Sequence, residues 1–263
     1  MFDLDAYLRR IGLSGSPGVA EVHRAHSIAI PFENLDPHRG VPASLAVEDL
    51  ERKLVAERRG GYCFEQNLLL GAALEAMGAD VELFLGRVRY GGAPGVIRPR
   101  GHLVLRVTAD GEAWHADVGF GLGTPFDPLP FGPGAAWEQS GWRYRVLEDG
   151  PELVLQLQED GEWVDLYGFH AEPVPPIDVE TVNWWVCTNP RSPFVTGLIV
   201  AGQREDGLRM SLSDWDGLAL TERTPTGSTV TPLQRRDLPA LLAERFDLPG
   251  FSLGADGRLQ RQR

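Results

Sequence analysis

Several features of secreted, membrane-bound and nucleic-acid-binding proteins are missing from this chain of 263 residues. Its two cysteines, Cys63 and Cys187, are too few and too far apart for a disulfide framework, and neither belongs to a C-x-x-C pair that would ligate a metal. No stretch approaches the roughly 20 continuous apolar residues of a membrane span. The N-terminal MFDLDAYLRR has Asp3 and Asp5 where a signal peptide carries its apolar segment. Basic charge is in deficit: 25 Lys and Arg stand against 37 Asp and Glu, a formal net charge of −12. Nucleic acids and anionic membranes select for cationic surfaces, so neither is expected as the main partner. Together these absences predict a soluble, cytoplasmic protein without a metal centre.

What is present is enough for a substantial core, since 43% of residues are hydrophobic and 24% charged. Three regimes of pattern divide the chain, and no repeat of fixed period runs through it. Residues 1–80 read as a helical bundle. Asp5 to Ile11 is a short amphipathic segment. Val47, Leu50 and Leu54 recur at helical spacing behind a Ser44 N-cap, with Gly60-Gly61 as the stop. A further helix runs from Cys63 through Leu68, Leu69, Ala72, Ala73, Ala76 and Met77 and ends at Gly78.

Residues 81–178 read as short antiparallel strands in a barrel-like domain: VELFLGRVRY, HLVLRVT, AWHADVGF, WRYRVLE, ELVLQLQ and EWVDLYGF, with turn signals at Asp110-Gly111 and Asp149-Gly150-Pro151. Gly121 to Ala136 is a long irregular loop, and the Pro-rich EPVPPID (172–178) is a linker. Residues 179–263 hold strands near 194–201, 208–212, 215–221 and 227–231. RDLPALLAERFDL then forms a helix, and the terminal GRLQRQR frays.

Cys63 carries the first chemical signal. It follows Arg59-Gly60-Gly61-Tyr62 and opens a helix, so unpaired backbone N–H groups and the positive end of the helix dipole favour a thiolate there. Arg59 adds positive potential or is a solvated helix-end charge. A nucleophilic cysteine needs a base, and the base needs an orienting group. GHLVLRVTADGEAWHADVGF offers both. With its turn at Asp110-Gly111, Leu103 opposes Val118, Leu105 opposes Ala116 and Val107 opposes Trp114, making one apolar face. His102 then opposes Gly119 on the other face, with Asp117 as its diagonal neighbour, roughly 7–8 Å away at Cα. His115 shares that face, so position alone does not choose between the two histidines. His23, His26, His38 and His170 lack such a context and read as surface, capping or packing residues.

Four segments carry a resemblance to the arylamine N-acetyltransferases: Ile30-Pro31-Phe32-Glu33-Asn34-Leu35, Arg59-Gly60-Gly61-Tyr62-Cys63-Phe64-Glu65-Gln66-Asn67, Gly101-His102-Leu103 and Asp117-Val118-Gly119-Phe120-Gly121. The likeness is strongest over residues 20–125 and extends to Asn183-Trp184-Trp185 and Ser192-Pro193-Phe194. It implies an α+β fold with a helical bundle, a β-barrel-like domain and a C-terminal α/β lid around a cysteine-protease-like core. It implies a Cys63–His102–Asp117 triad, which selects His102 over His115. It further implies Phe120, Phe32 and Phe64 near the substrate, although packing alone accounts for the last two, with Glu33 and Arg59 as supports. Cys187 is expected to be non-catalytic.

The implied reaction is acetyl transfer from acetyl-CoA, as co-substrate, to arylamines or arylhydrazines, by a ping-pong route through acetyl-Cys63. Gly119, Gly121 and Gly123 are candidates to meet the pyrophosphate of CoA through backbone N–H groups. Three other readings compete: an amide synthase taking a carrier-bound acyl thioester, a thiol hydrolase, and a non-catalytic binding module.

Overall fold

The computed structural model describes residues 2–93, 96–255 and 257–262. Three helices, Leu4–Arg10, Val19–Ala29 and Cys63–Ala76, pack around Tyr7, Val22, Leu54, Leu70 and Leu74, all fully buried. The second of these was not anticipated. Its buried face includes His23 and His26, and polar residues on the inward stripe disguise the apolar period.

The segment after Ser44 also departs from expectation. Val47–Leu50 is α-helical and widens into a π-helical Glu51–Ala56, with Ala46 at the N-cap position, while Ser44 Oγ donates to Asp49 Oδ2 at 2.7 Å instead. The helix stops before the glycines, as Arg58 takes a left-handed φ of 50°. Gly60 has a different task. A Cβ there would lie 2.2 Å from the Pro31 carbonyl, so the glycine lets two chain segments cross.

Eight strands form one antiparallel sheet, in the spatial order Leu129–Pro130, Glu112–Ala116, His102–Ala109, Asp80–Val88, Glu162–His170, Glu152–Glu159, Trp142–Asp149 and Trp137–Gln139. Leu129 from one end of that order and Trp142 from the other share a buried core with Phe84, Tyr144 and Leu166, so the sheet curls into a barrel-like shape. The loop 121–136 is irregular apart from Leu129–Pro130.

A second, five-stranded antiparallel sheet joins Phe32–Glu33 to Ile199–Gln203, Arg209–Ser213, Ala219–Thr224 and Gly227–Pro232, and the helix Leu238–Phe246 packs on it. Here too the sequence patterns misled in places. Strand 194–201 begins only at Ile199, because Pro193 follows a Ser192 cap and starts a short helix, Pro193–Thr196. Strand 215–221 is shifted to Ala219–Thr224. The Pro-rich linker ends in a helix, Pro176–Thr188, with Pro176 in the first turn where its missing N–H costs nothing. Where fraying was expected, Leu259–Arg261 pairs with Phe251–Leu253, and burial of Leu259 anchors the pair. Among the described residues no helix is long and apolar enough to cross a membrane.

Candidate active site

Cys63 is the first residue of its helix. The preceding Tyr62 is extended, and its N–H donates to Glu65 Oε2 at 3.2 Å, which closes the first turn. Glu65 is itself held by Lys53, whose ammonium lies 2.7 Å from Glu65 Oε1 and 2.8 Å from Asp36 Oδ2. Arg59 bonds Glu33 at 2.6 Å and Asp36 at 3.2 Å. This buried chain of charges fixes the loop leading to Cys63. Glu33 and Arg59 thus support the site by bracing the backbone. Cys63 is only 2% exposed, and Sγ lies 3.7 Å from the Gly101 carbonyl.

The hairpin opposite has the anticipated register, with Leu105↔Ala116, Val107↔Trp114 and Ala109↔Glu112. Asp110 and Gly111 have φ of 52° and 82°, the pair of positive values that a two-residue turn matched to strand twist requires. The ladder ends at Ala116, however, so the expected pairs Leu103–Val118 and His102–Gly119 do not form. The Asn67 side chain stands between them, donating to Leu103 O at 2.6 Å and accepting from Val118 N–H at 2.9 Å. Asn67 Nδ2 also lies 2.9 Å from Asp117 Oδ1. By taking over the backbone groups, it splays the strand end and turns Asp117 toward His102.

His102 Nε2 is 2.8 Å from Asp117 Oδ2, and both side chains are buried. The carboxylate also accepts from Gly119 N–H at 2.9 Å. Burial alone would raise the carboxyl pKa, but His102 and the hydrogen bonds from Asn67 and Gly119 hold it well below the usual carboxylate range. Burial likewise opposes a charge on His102. The Asp117 carboxylate, with a smaller contribution from the neighbouring Cys63 side chain, outweighs it and pushes the imidazole up to about 10. The site therefore favours an imidazolium beside the sulfur.

His115, the rival base, is buried with Nε2 2.7 Å from the Tyr167 hydroxyl, and burial presses it down to about 4. The Tyr167 ring centroid lies 4.5 Å from that of His102. Asn67, Tyr167 and His23, whose Nε2 accepts from the Asp117 backbone N–H at 3.1 Å, were not singled out from sequence. For Asn67 a signal existed: it lies one helical turn beyond Cys63, on the same face. Cys187 is buried with Sγ 3.8 Å from Trp184 O, remote from His102 and Asp117 in its contacts.

A cleft of about 500 Å³ opens over Cys63 and His102, walled by Phe32, Phe120, Trp185 and Phe194. The Phe120 ring meets His102 edge-on at 5.3 Å. Phe64 does not line this cleft. It is fully buried against Tyr62, so its expected substrate contact is corrected to a packing role. Two of the three glycines also differ from expectation. Gly119 N–H is taken by Asp117 and Gly121 N–H by Thr124 Oγ1 at 2.8 Å, so neither is free to cradle a phosphate. Their small size serves packing instead. A Cβ would lie 2.7 Å from Cys63 Cα at Gly119, 3.2 Å from the Phe32 ring at Gly121 and 2.9 Å from Leu166 at Gly123.

Gly119→Ala is accordingly expected to push the Cys63 helix away from Asp117. It should cost about 1–3 kcal/mol of stability and most of the activity. Thermal melting and initial rates check both.

A sulfur at a helix start that opens on the same cleft as an imidazole bonded to a carboxylate is a layout that thiol-dependent group-transfer enzymes use. The family model described as N-acetyltransferase matches residues 18–250. An arylamine N-acetyltransferase of Mycolicibacterium smegmatis is 45% identical over 214 residues, 78% of each chain. That of Mycobacterium tuberculosis strain H37Rv is 37% identical, covering 98% of this chain and 93% of the relative. Among solved structures, the Mycobacterium marinum arylamine N-acetyltransferase in complex with CoA aligns with a TM-score of 0.88 at 37% identity, covering 94% of this chain and 93% of that one. The enzyme of Salmonella typhimurium aligns with a TM-score of 0.86 at 31% identity, over 96% and 93%. This chain belongs to the arylamine N-acetyltransferase family and is an acyltransferase.

Proposed function

We propose that the protein moves an acetyl group from acetyl-CoA to the nitrogen of arylamines and arylhydrazines in two half-reactions through acetyl-Cys63. The observation that carries this reading is the buried His102–Asp117 pair, 2.8 Å apart, with Cys63 and His102 lining the same cleft.

In the first half-reaction the Cys63 sulfur, its proton already held by His102, attacks the thioester carbonyl as a thiolate. The carbon–sulfur bond to CoA breaks, and the departing thiolate takes the proton back. In the second, the amine attacks the acetyl carbon of Cys63 and its proton passes to His102 as the Cys63 sulfur leaves. Asp117 fixes the ring orientation and balances the imidazolium. N–H groups of the first helical turn, which have no partner within the helix, are the oxyanion donors. Aromatic walls suit a flat acceptor, and weakly basic arylamines are neutral nucleophiles at physiological pH.

On this reading the helical residues 1–80 supply the thiol, residues 81–178 supply the imidazole and carboxylate, and residues 179–263 close the cleft. Arg98 and Arg191 on the cleft wall are the local positive charge that an acidic chain needs for a phosphorylated donor. The name of the Mycobacterium marinum structure, a complex with CoA, supports the same donor. Arg191→Ala is expected to raise the KM for acetyl-CoA several-fold with kcat and the amine KM little changed, which steady-state kinetics at two ionic strengths checks.

The test of the reading is incubation with acetyl-CoA alone, followed by intact-mass measurement and peptide mapping. One acetyl group on Cys63, discharged on adding an arylamine, is the expected result. Failure to acetylate would favour a carrier-bound donor, and steady CoA release without amine would favour a hydrolase.

A further inference from the structure

Asp117 has a buried partner 94 residues away in sequence. His23, fully buried on the helix Val19–Ala29, presents Nε2 to the Asp117 backbone N–H at 3.1 Å and Nδ1 to the Phe126 carbonyl oxygen at 3.1 Å. A backbone N–H only donates and a carbonyl only accepts. The ring must therefore be neutral, with its hydrogen on Nδ1 and Nε2 bare, because a protonated ring would set N–H against N–H. Burial favours that neutral form, against the attraction of Asp117 and Asp127. His26 and His115 are the other titratable groups that interact with His23.

One ladder ends at Ala116 and the other at His115, so among the described residues no strand partner holds the Asp117 backbone. His23 occupies the place such a partner would take. We infer that His23 is a positioning residue for acyl transfer: as the Nδ1–H tautomer it fixes the Asp117 backbone at the splayed strand end, so that the carboxylate meets His102 squarely. A buried imidazole needs a partner at each nitrogen, and Phe126 supplies only one of them. The second contact goes to the residue whose carboxylate orients the base. The inference rests on the roles of His102 and Asp117 given under Proposed function.

Two measurements on the full chain test it. Nitrogen-15 NMR of histidine-labelled protein at neutral pH is expected to show His23 as the Nδ1–H tautomer; an Nε2–H or doubly protonated ring overturns the inference. His23→Leu, which keeps bulk but loses the acceptor, is expected to lower kcat about 10- to 100-fold. The amine KM should hold within about twofold, and alkylation of Cys63 by iodoacetamide should slow in the same direction as in Asp117→Asn. His23→Gln, whose Oε1 can accept from Asp117 N–H, should recover most of both. A folded His23→Leu with unchanged kcat and alkylation overturns the inference, as does a His23→Gln that melts cooperatively yet does no better. If His23→Leu does not fold, the tautomer decides. Asp117→Asn without effect on either readout would instead sink the relay itself, which separates the two failures.

Discussion

Cys63→Ser is expected to abolish acetyl transfer, with kcat down by roughly four orders of magnitude or more, while the protein stays folded. The hydroxyl is nearly isosteric with the thiol but is a far weaker nucleophile, and beside His102 it lacks the activated sulfur that the first half-reaction needs. Serine is the informative replacement because Cys63 is 2% exposed and packs in a buried cluster with Phe32, Tyr62, Phe64 and Leu103. Alanine would add a small cavity, at about 1 kcal/mol, and blur the reading. The decisive outcome is a pair: no acetyl-enzyme by intact mass, and a melting midpoint within a few degrees of wild type. Residual ping-pong transfer by Cys63→Ser with the acetyl mapped to a residue other than 63 would mean that another group carries it.

Asp117→Asn is expected to reduce kcat by about 10³- to 10⁴-fold. Asparagine cannot balance an imidazolium, and its amide can present N–H to His102 Nε2, which selects the wrong tautomer. The same substitution should change the pH dependence of stability. With Asp117 in place the folded-state pKa of His102 stands at about 10, above its unfolded value, so this interaction stabilises fully below the unfolded histidine pKa of roughly 6.5 and is lost as pH rises toward the folded value. The depressed Asp117 carboxyl works in the opposite sense. Its contribution is present above the ordinary carboxylate pKa and fades as pH falls through its lowered one. Wild type should therefore lose melting temperature between near-neutral and about pH 10, and Asp117→Asn should flatten that slope. An unchanged slope would separate His102 from Asp117 energetically. Alkylation of Cys63 at pH 7 should also slow in the variant, because the sulfur loses its imidazolium neighbour.

The parts of the site that pattern could reveal are those set by near neighbours. Asp110-Gly111 fixes the hairpin register, and the register puts His102 and Asp117 on one face. Gly60-Gly61 ahead of a helical run marks Cys63 as a helix start. The same reasoning mistook Ser44 for a cap, since its hydroxyl finds Asp49, and mistook Pro176 for linker, since proline is equally at home in a first helical turn. It missed the helix Val19–Ala29 because His23 and His26 point inward: the partners that satisfy them, Phe126, Asp117, Tyr7 and Gln66, lie 19 to 103 residues away. It offered glycines 119, 121 and 123 to a phosphate, when the neighbours that demand their small size are Cys63, Phe32 and Leu166.

From the sequence alone came the acidic, cysteine-poor composition, the bundle-then-barrel order of elements, and a candidate set of Cys63, Asp117 and either His102 or His115, placed by a helix start and a hairpin register. The tertiary structure alone set the two histidines apart: His102 bonds Asp117 and lines the cleft, whereas His115 bonds the Tyr167 hydroxyl. It also ended the ladder one residue before Asp117 and set Asn67, Tyr167 and His23 around that carboxylate. The division has one cause. Turns, caps and strand alternation depend on torsions and neighbours within a few residues, whereas hydrogen-bond satisfaction in a packed interior depends on which distant segments arrive together.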